Sequence, residues 1–85
     1  MRACIFQGAK RWRVPYGLLL RRARCESRLN VFAGNPSGAT GLFQFMPSTW
    51  ASTPYGSRWI YSARWQSMAA AWMHSVGRGG EWTCQ

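Results

Sequence analysis

Carboxyl groups are scarce in this chain: two glutamates, Glu26 and Glu81, and no aspartate among 85 residues. Eleven Lys and Arg outweigh them, giving a formal charge of +9. Glu26 lies in Arg24-Cys25-Glu26-Ser27-Arg28, with a cation two residues away on either side. Acid–base chemistry that needs a carboxyl therefore runs on Glu26, with Glu81 as a distant alternate. Downstream come a glycine-rich turn and the apolar run Leu42-Phe43-Gln44-Phe45-Met46, broken by one amide. A glutamate against a nonpolar wall protonates a leaving oxygen. An amide such as Gln44 fixes a neighbouring hydroxyl or acetamido group through its dipoles. The plainer readings are Glu26 in an exposed ion pair with Arg22 or Arg24, which would contribute little, and Gln44 as a loop amide.

Three cysteines, Cys4, Cys25 and Cys84, and a single histidine, His74, match no zinc spacing, so no metal is expected. A disulfide fits better, with Cys25–Cys84 the favoured pair and Cys4 left over; three reduced, buried thiols are the alternative. Closing a loop of roughly 60 residues would stabilise the fold by about 4 kcal/mol in the chain-entropy model. A chain this short needs such a staple, because it buries only about 60–65% of its unfolded surface.

The elements that must position these groups follow from pattern. Residues 1–13 are basic and poorly periodic, and read as a loosely held N-terminal arm; residues 14–85 then form one small domain. Pro15 suits the first turn of a helix running through Glu26. Val14, Leu18, Cys25 and Leu29 make a narrow apolar stripe, with Glu26 at its border near Leu19 and Arg22. Residues 30–41, rich in Asn, Gly and Pro, read as a loop or small irregular hairpin. Pro47-Ser48-Thr49-Trp50 starts a short helix with Trp50 in the core. A third helix is expected from about Ile60 to Val76, with Tyr61, Trp65, Met68 and Trp72 facing the core. Gly77, Gly79 and Gly80 end it, and Glu81 is expected to pair with Arg78 at the surface.

Composition narrows the class. With 47% apolar residues and six tryptophans the chain is no disordered polycation. No stretch approaches the length of a membrane span, and no signal peptide is evident, so export by other means or release by host lysis is expected. The charge calls for an anionic partner.

Cys25-Glu26-Ser27-Arg28-Leu29-Asn30, then Asn35-Pro36-Ser37-Gly38-Ala39-Thr40-Gly41-Leu42-Phe43-Gln44-Phe45-Met46-Pro47-Ser48-Thr49-Trp50, resemble the first two motifs of soluble lytic transglycosylases. The Cys-Glu pair and Trp82-Thr83-Cys84 are also similar to resuscitation-promoting factors, whose equivalent cysteines are bridged. The resemblance implies a mainly α (α+β at most), lysozyme-like fold, with a central catalytic helix and a turn-rich or small hairpin segment. It implies cleavage of the β-1,4 bond between N-acetylmuramic acid and N-acetylglucosamine in peptidoglycan, without a cofactor. Glu26 would act as acid and then base, Gln44 would contact saccharide, and Ser27, Gly41, Phe43 and Met46 would shape the site. The family's third motif, an Ala-Tyr-Asn-like run, is missing; Trp72-Met73-His74-Ser75 stands there, and His74 is the candidate replacement donor to Glu26.

The resemblance gives the lone acid a mechanism. Ordinary glycosidases use two carboxyls, whereas here the C6 hydroxyl of muramic acid attacks within the substrate and closes a 1,6-anhydro ring. A lysozyme-type hydrolase on the same fold is the alternative outcome. The implied partners are peptidoglycan glycan strands, with anionic wall polymers or a membrane surface drawn by charge, and a monomer acting at the cell wall, secreted or phage-delivered. A cationic, tryptophan-rich membrane-active antibacterial protein is the competing class. A nucleic-acid binder has charge but no recognition motif.

Overall fold

The computed structural model describes residues 1–82 and 84. Helices α1 (Arg2–Trp12), α2 (Tyr16–Ser27), α3 (Pro47–Ala51) and α4 (Ala63–Ser75) are followed by a single 3-10 turn, Gly79–Glu81. The fold is mainly α, and extended pairing among the described residues is limited to the isolated antiparallel bridges Gly34–Thr40 and Thr40–Phe45. These bridges fold residues 34–45 into a small irregular hairpin, one of the two forms expected for residues 30–41, and carry it on into the apolar run.

Residues 1–13 are not a loose arm. They form α1, which lies against α4 with Ile5, Gly8 and Ala9 buried. Ile5, Ala9 and Trp12 recur at helical spacing, and Lys10 and Arg11 occupy the last turn, where cations suit the helix dipole. Gly8 shows how close the two helices come: a methyl added there would lie 2.6 Å from the Ser67 carbonyl oxygen. The Trp12 indole N–H donates to the Tyr55 hydroxyl at 2.9 Å, tying α1 to the loop after α3.

The close α1–α4 approach also corrects the expected face of α4. Its innermost residues are Gln66, Ser67, Ala69, Ala70, Ala71 and Met73, whereas Trp65 and Trp72 pack at the edge of the core and Tyr61 is exposed. Small side chains let a central helix be covered on several sides, and the bulky ones move to its margins. On α2 the buried face is Leu19, Arg22 and Ala23 rather than the stripe through Leu18 and Cys25. That face continues one turn on to Glu26, so the carboxyl leaves the helix on the core side. Phe43, Phe45, Trp50 and Trp82 complete the core with Leu42.

Candidate functional site

Glu26 stands in the last turn of α2 and is half-buried. The helix ends immediately after it, with Arg28 and Leu29 both at positive φ (55° and 63°). The Ser27 hydroxyl secures this end by donating to the Ala23 carbonyl at 3.1 Å and accepting from the Asn30 N–H at 3.2 Å. Ser27, expected near the substrate, is thus committed to the helix terminus.

The C-terminal segment reaches this helix at Cys84 and at Trp82. Cys25 and Cys84 are disulfide-bonded. The Cys84 N–H donates to the Glu26 carboxylate at 3.1 Å, and the Arg22 guanidinium donates to the Cys84 carbonyl at 2.6 Å. Three side chains from the end of α2 therefore hold one residue through its sulfur, its amide and its carbonyl. Glu26 and Arg22 meet through Cys84 and form no direct ion pair. Arg22 is itself buried. Desolvation pulls its pKa below the ordinary guanidinium value, which the Glu26 charge partly offsets.

Trp82 links this arrangement to the hairpin. Its indole N–H donates to the Phe43 carbonyl at 2.7 Å, and its ring lies against Phe43, Phe45 and His74 and under the Arg22 guanidinium. Phe43, expected at the substrate, is wholly buried and acts as core. His74, the candidate donor to Glu26, instead stacks face to face on Trp82 with centroids 5.0 Å apart, and its Nε2 is buried without a hydrogen-bond partner. Burial first, and then the Arg22 charge, lower its pKa, which favours the neutral ring. The donor that reaches Glu26 in this structure is a main-chain amide.

Gln44 adopts a positive φ of 52°. Its amide N–H donates to the carbonyls of Ala33 (3.2 Å) and Gly41 (2.9 Å), while its oxygen accepts from Asn35 at 3.3 Å. It braces the hairpin, and with Met46 it lines a cleft of about 80 Å³ whose other walls include Glu81 and Trp82. Glu81 is held by Arg78, which donates to it through two nitrogens, and this bonding lowers the Glu81 pKa.

Gln66 carries no signal of its own in the sequence, yet it is the most connected buried amide. Its oxygen accepts from the Leu42 N–H at 2.9 Å, and its nitrogen donates to the carbonyls of Val31 (3.3 Å) and Ile60 (2.5 Å). Gly41 (φ 85°) packs onto it so tightly that an added methyl would lie 2.5 Å from the Gln66 nitrogen. Gly41, another expected substrate residue, is thus a packing and backbone requirement. Gln66→Leu would orphan the buried Leu42 N–H and take a donor from the half-buried Val31 and Ile60 carbonyls. A loss of about 1–3 kcal/mol is expected from the buried amide alone, and urea unfolding measures it. An apolar amphipathic face has no place for such a glutamine, so only its positional oddity in α4 could have flagged it.

Among the described residues no cluster of His, Cys, Asp and Glu could hold a metal ion, and no helix is long and apolar enough to cross a membrane. On the outer side of α1 and α4 a wider open groove of about 710 Å³ is rimmed by Lys10, Arg11, Arg13 and Arg64.

A mainly helical domain that carries a half-buried glutamate at a helix end, followed by a braced turn-rich hairpin, has the form of a small lysozyme-like domain. The transglycosylase SLT domain family matches residues 3–71, and the chain belongs to that family. The match begins inside α1, which makes that helix part of the domain, and stops before the Trp82–Cys84 segment. No curated protein matches the chain. Membership establishes lytic-transglycosylase-type activity at the level of the family, with peptidoglycan glycan strands as the substrate class.

Proposed function

We propose that the chain is a peptidoglycan lytic transglycosylase whose single catalytic carboxyl is Glu26. The observation that carries this reading is the family match across residues 3–71, a span in which Glu26 stands half-buried at the end of α2. The other carboxylate, Glu81, is spoken for by Arg78. Glu26 protonates the glycosidic oxygen as the bond breaks, and the substrate's acetamido group stabilises the developing oxocarbenium. The carboxylate then removes the proton from the muramic C6 hydroxyl, whose oxygen closes the 1,6-anhydro ring. The nucleophile is already part of the substrate, so no second carboxylate is needed to position water.

Gln44 and Met46 line the cleft beside Trp82, and Gln44 touches saccharide there in addition to bracing the hairpin. The cationic rim around Lys10, Arg11, Arg13 and Arg64 favours approach to anionic wall polymers, an attraction that salt weakens. The site of action is the cell wall. Mass analysis of digested peptidoglycan tests the reaction: muropeptides lighter by one water than hydrolysed ones are expected. Products carrying the full water would assign the chain to hydrolysis instead.

A further inference from the structure

Three large aromatic side chains stand at the surface, joined through Tyr61: Phe32 (70% exposed), Trp59 (71%) and Tyr61 (40%). Phe32 stacks on Tyr61 with centroids 5.9 Å apart and planes 27° apart, and Trp59 meets Tyr61 edge-on at 6.0 Å. Their exposure works against solubility unless something covers them. They are also held from below, because the buried Gln66 amide bonds the carbonyl of Val31, next to Phe32, and that of Ile60, between Trp59 and Tyr61. One buried side chain thus fixes both backbone segments that present the rings.

We propose that Phe32, Tyr61 and Trp59 form a sugar-stacking platform that binds the glycan strand beyond the bond being cut. This rests on the reading of the chain as a peptidoglycan transglycosylase. The turn bearing Phe32 is continuous with the candidate site at both ends. On one side Asn30 donates to Ser27, the neighbour of Glu26; on the other, Gln44 donates to Ala33. On this proposal a strand that meets both Glu26 and Gln44 also runs past this turn. Pyranose rings present flat faces of C–H groups, whose positive edges suit the negative faces of aromatic rings. The Tyr61 hydroxyl and Trp59 indole N–H add polar edges for sugar hydroxyls. The rings sit on loops rather than along an amphipathic helix, the form an interfacial membrane anchor takes.

The test uses the Glu26→Gln chain, so that binding is read without cleavage, and measures cosedimentation with insoluble peptidoglycan. Trp59→Ala and Phe32→Ala are each expected to raise Kd about tenfold, while Trp59→Phe stays within about threefold of the parent. On the active chain the same alanine variants raise KM about tenfold and leave kcat within about twofold. Both rings are exposed, so the thermal midpoint holds; should an alanine variant melt early, Trp59→Phe against Trp59→Gln repeats the comparison. Unchanged Kd in both alanine variants overturns the proposal. So does loss of binding to phosphatidylglycerol vesicles with wall binding intact, or conversion of a parent dimer to monomer. If Glu26→Gln still cuts walls, the catalytic reading fails while this binding result stands. If the parent cuts walls and Kd is unmoved, only the platform falls.

Discussion

Glu26→Gln is expected to lower wall cleavage by about a hundred- to ten-thousandfold, the range a positioned general acid supplies, with thermal stability little changed. The amide oxygen of glutamine can accept the Cys84 N–H that the carboxylate accepts now, so the end of α2 stays tied to the C-terminal segment. What disappears is the transferable proton. Turbidity loss of purified walls measures the activity, and a melting curve confirms the fold. The same variant separates the enzyme from a membrane-active cationic protein, because leakage of anionic vesicles would not depend on one carboxyl group. Glu81→Gln makes the contrast: that carboxylate is held by Arg78 and only walls the cleft that Gln44 lines, so its loss should lower cleavage by less than about tenfold, far short of the loss at Glu26.

Opening the Cys25–Cys84 disulfide, by reduction or by Cys25→Ser with Cys84→Ser, is expected to cost both stability and activity. The bond joins residues separated by 59 positions, a loop for which the chain-entropy model gives about 4 kcal/mol. For a domain of this size that corresponds to a fall of more than about 15 °C in thermal midpoint. The activity follows because Cys84 is where Glu26 and Arg22 converge. A hydrogen bond to a charged group is worth about 1.5–3 kcal/mol, so a freed C-terminal segment would lower cleavage about ten- to a hundredfold even below the melting temperature. Measuring lysis at several temperatures with and without reductant separates the two effects. A loss that appears only near the transition would mean the bond matters for stability alone.

Much of the site was legible because it is local. Glu26 on a helix, the turn-rich stretch after it, Pro47 opening α3 and the glycines closing α4 all follow from residue chemistry over a few positions. So does the Arg78–Glu81 pair, set by a spacing of three residues. Less legible was which face each helix buries. Periodicity weights large residues, and in α4 these are Trp65, Met68 and Trp72. The close contact of Gly8 with Ser67 demands small residues at the centre instead. On α2 the stripe through Leu18 lost to the one through Leu19 and Ala23, which turns Glu26 inward. The basic 1–13 segment concealed α1 because its apolar side is only Ile5, Gly8, Ala9 and Trp12, too sparse to stand out beside Arg2, Lys10, Arg11 and Arg13.

The sequence by itself determined the family, the lone central carboxyl and the cysteine pair available to staple it, since these are matters of identity and spacing along the chain. The tertiary structure decided what faces that carboxyl. A main-chain amide 58 residues away donates to it, while His74 turns to stack on Trp82. It also decided that Gln66, silent in the sequence, holds the Val31, Leu42 and Ile60 backbones together. The physical reason is the same in each case: a hydrogen bond between distant residues depends on where packing brings the chain back on itself, and composition and periodicity carry no record of that return.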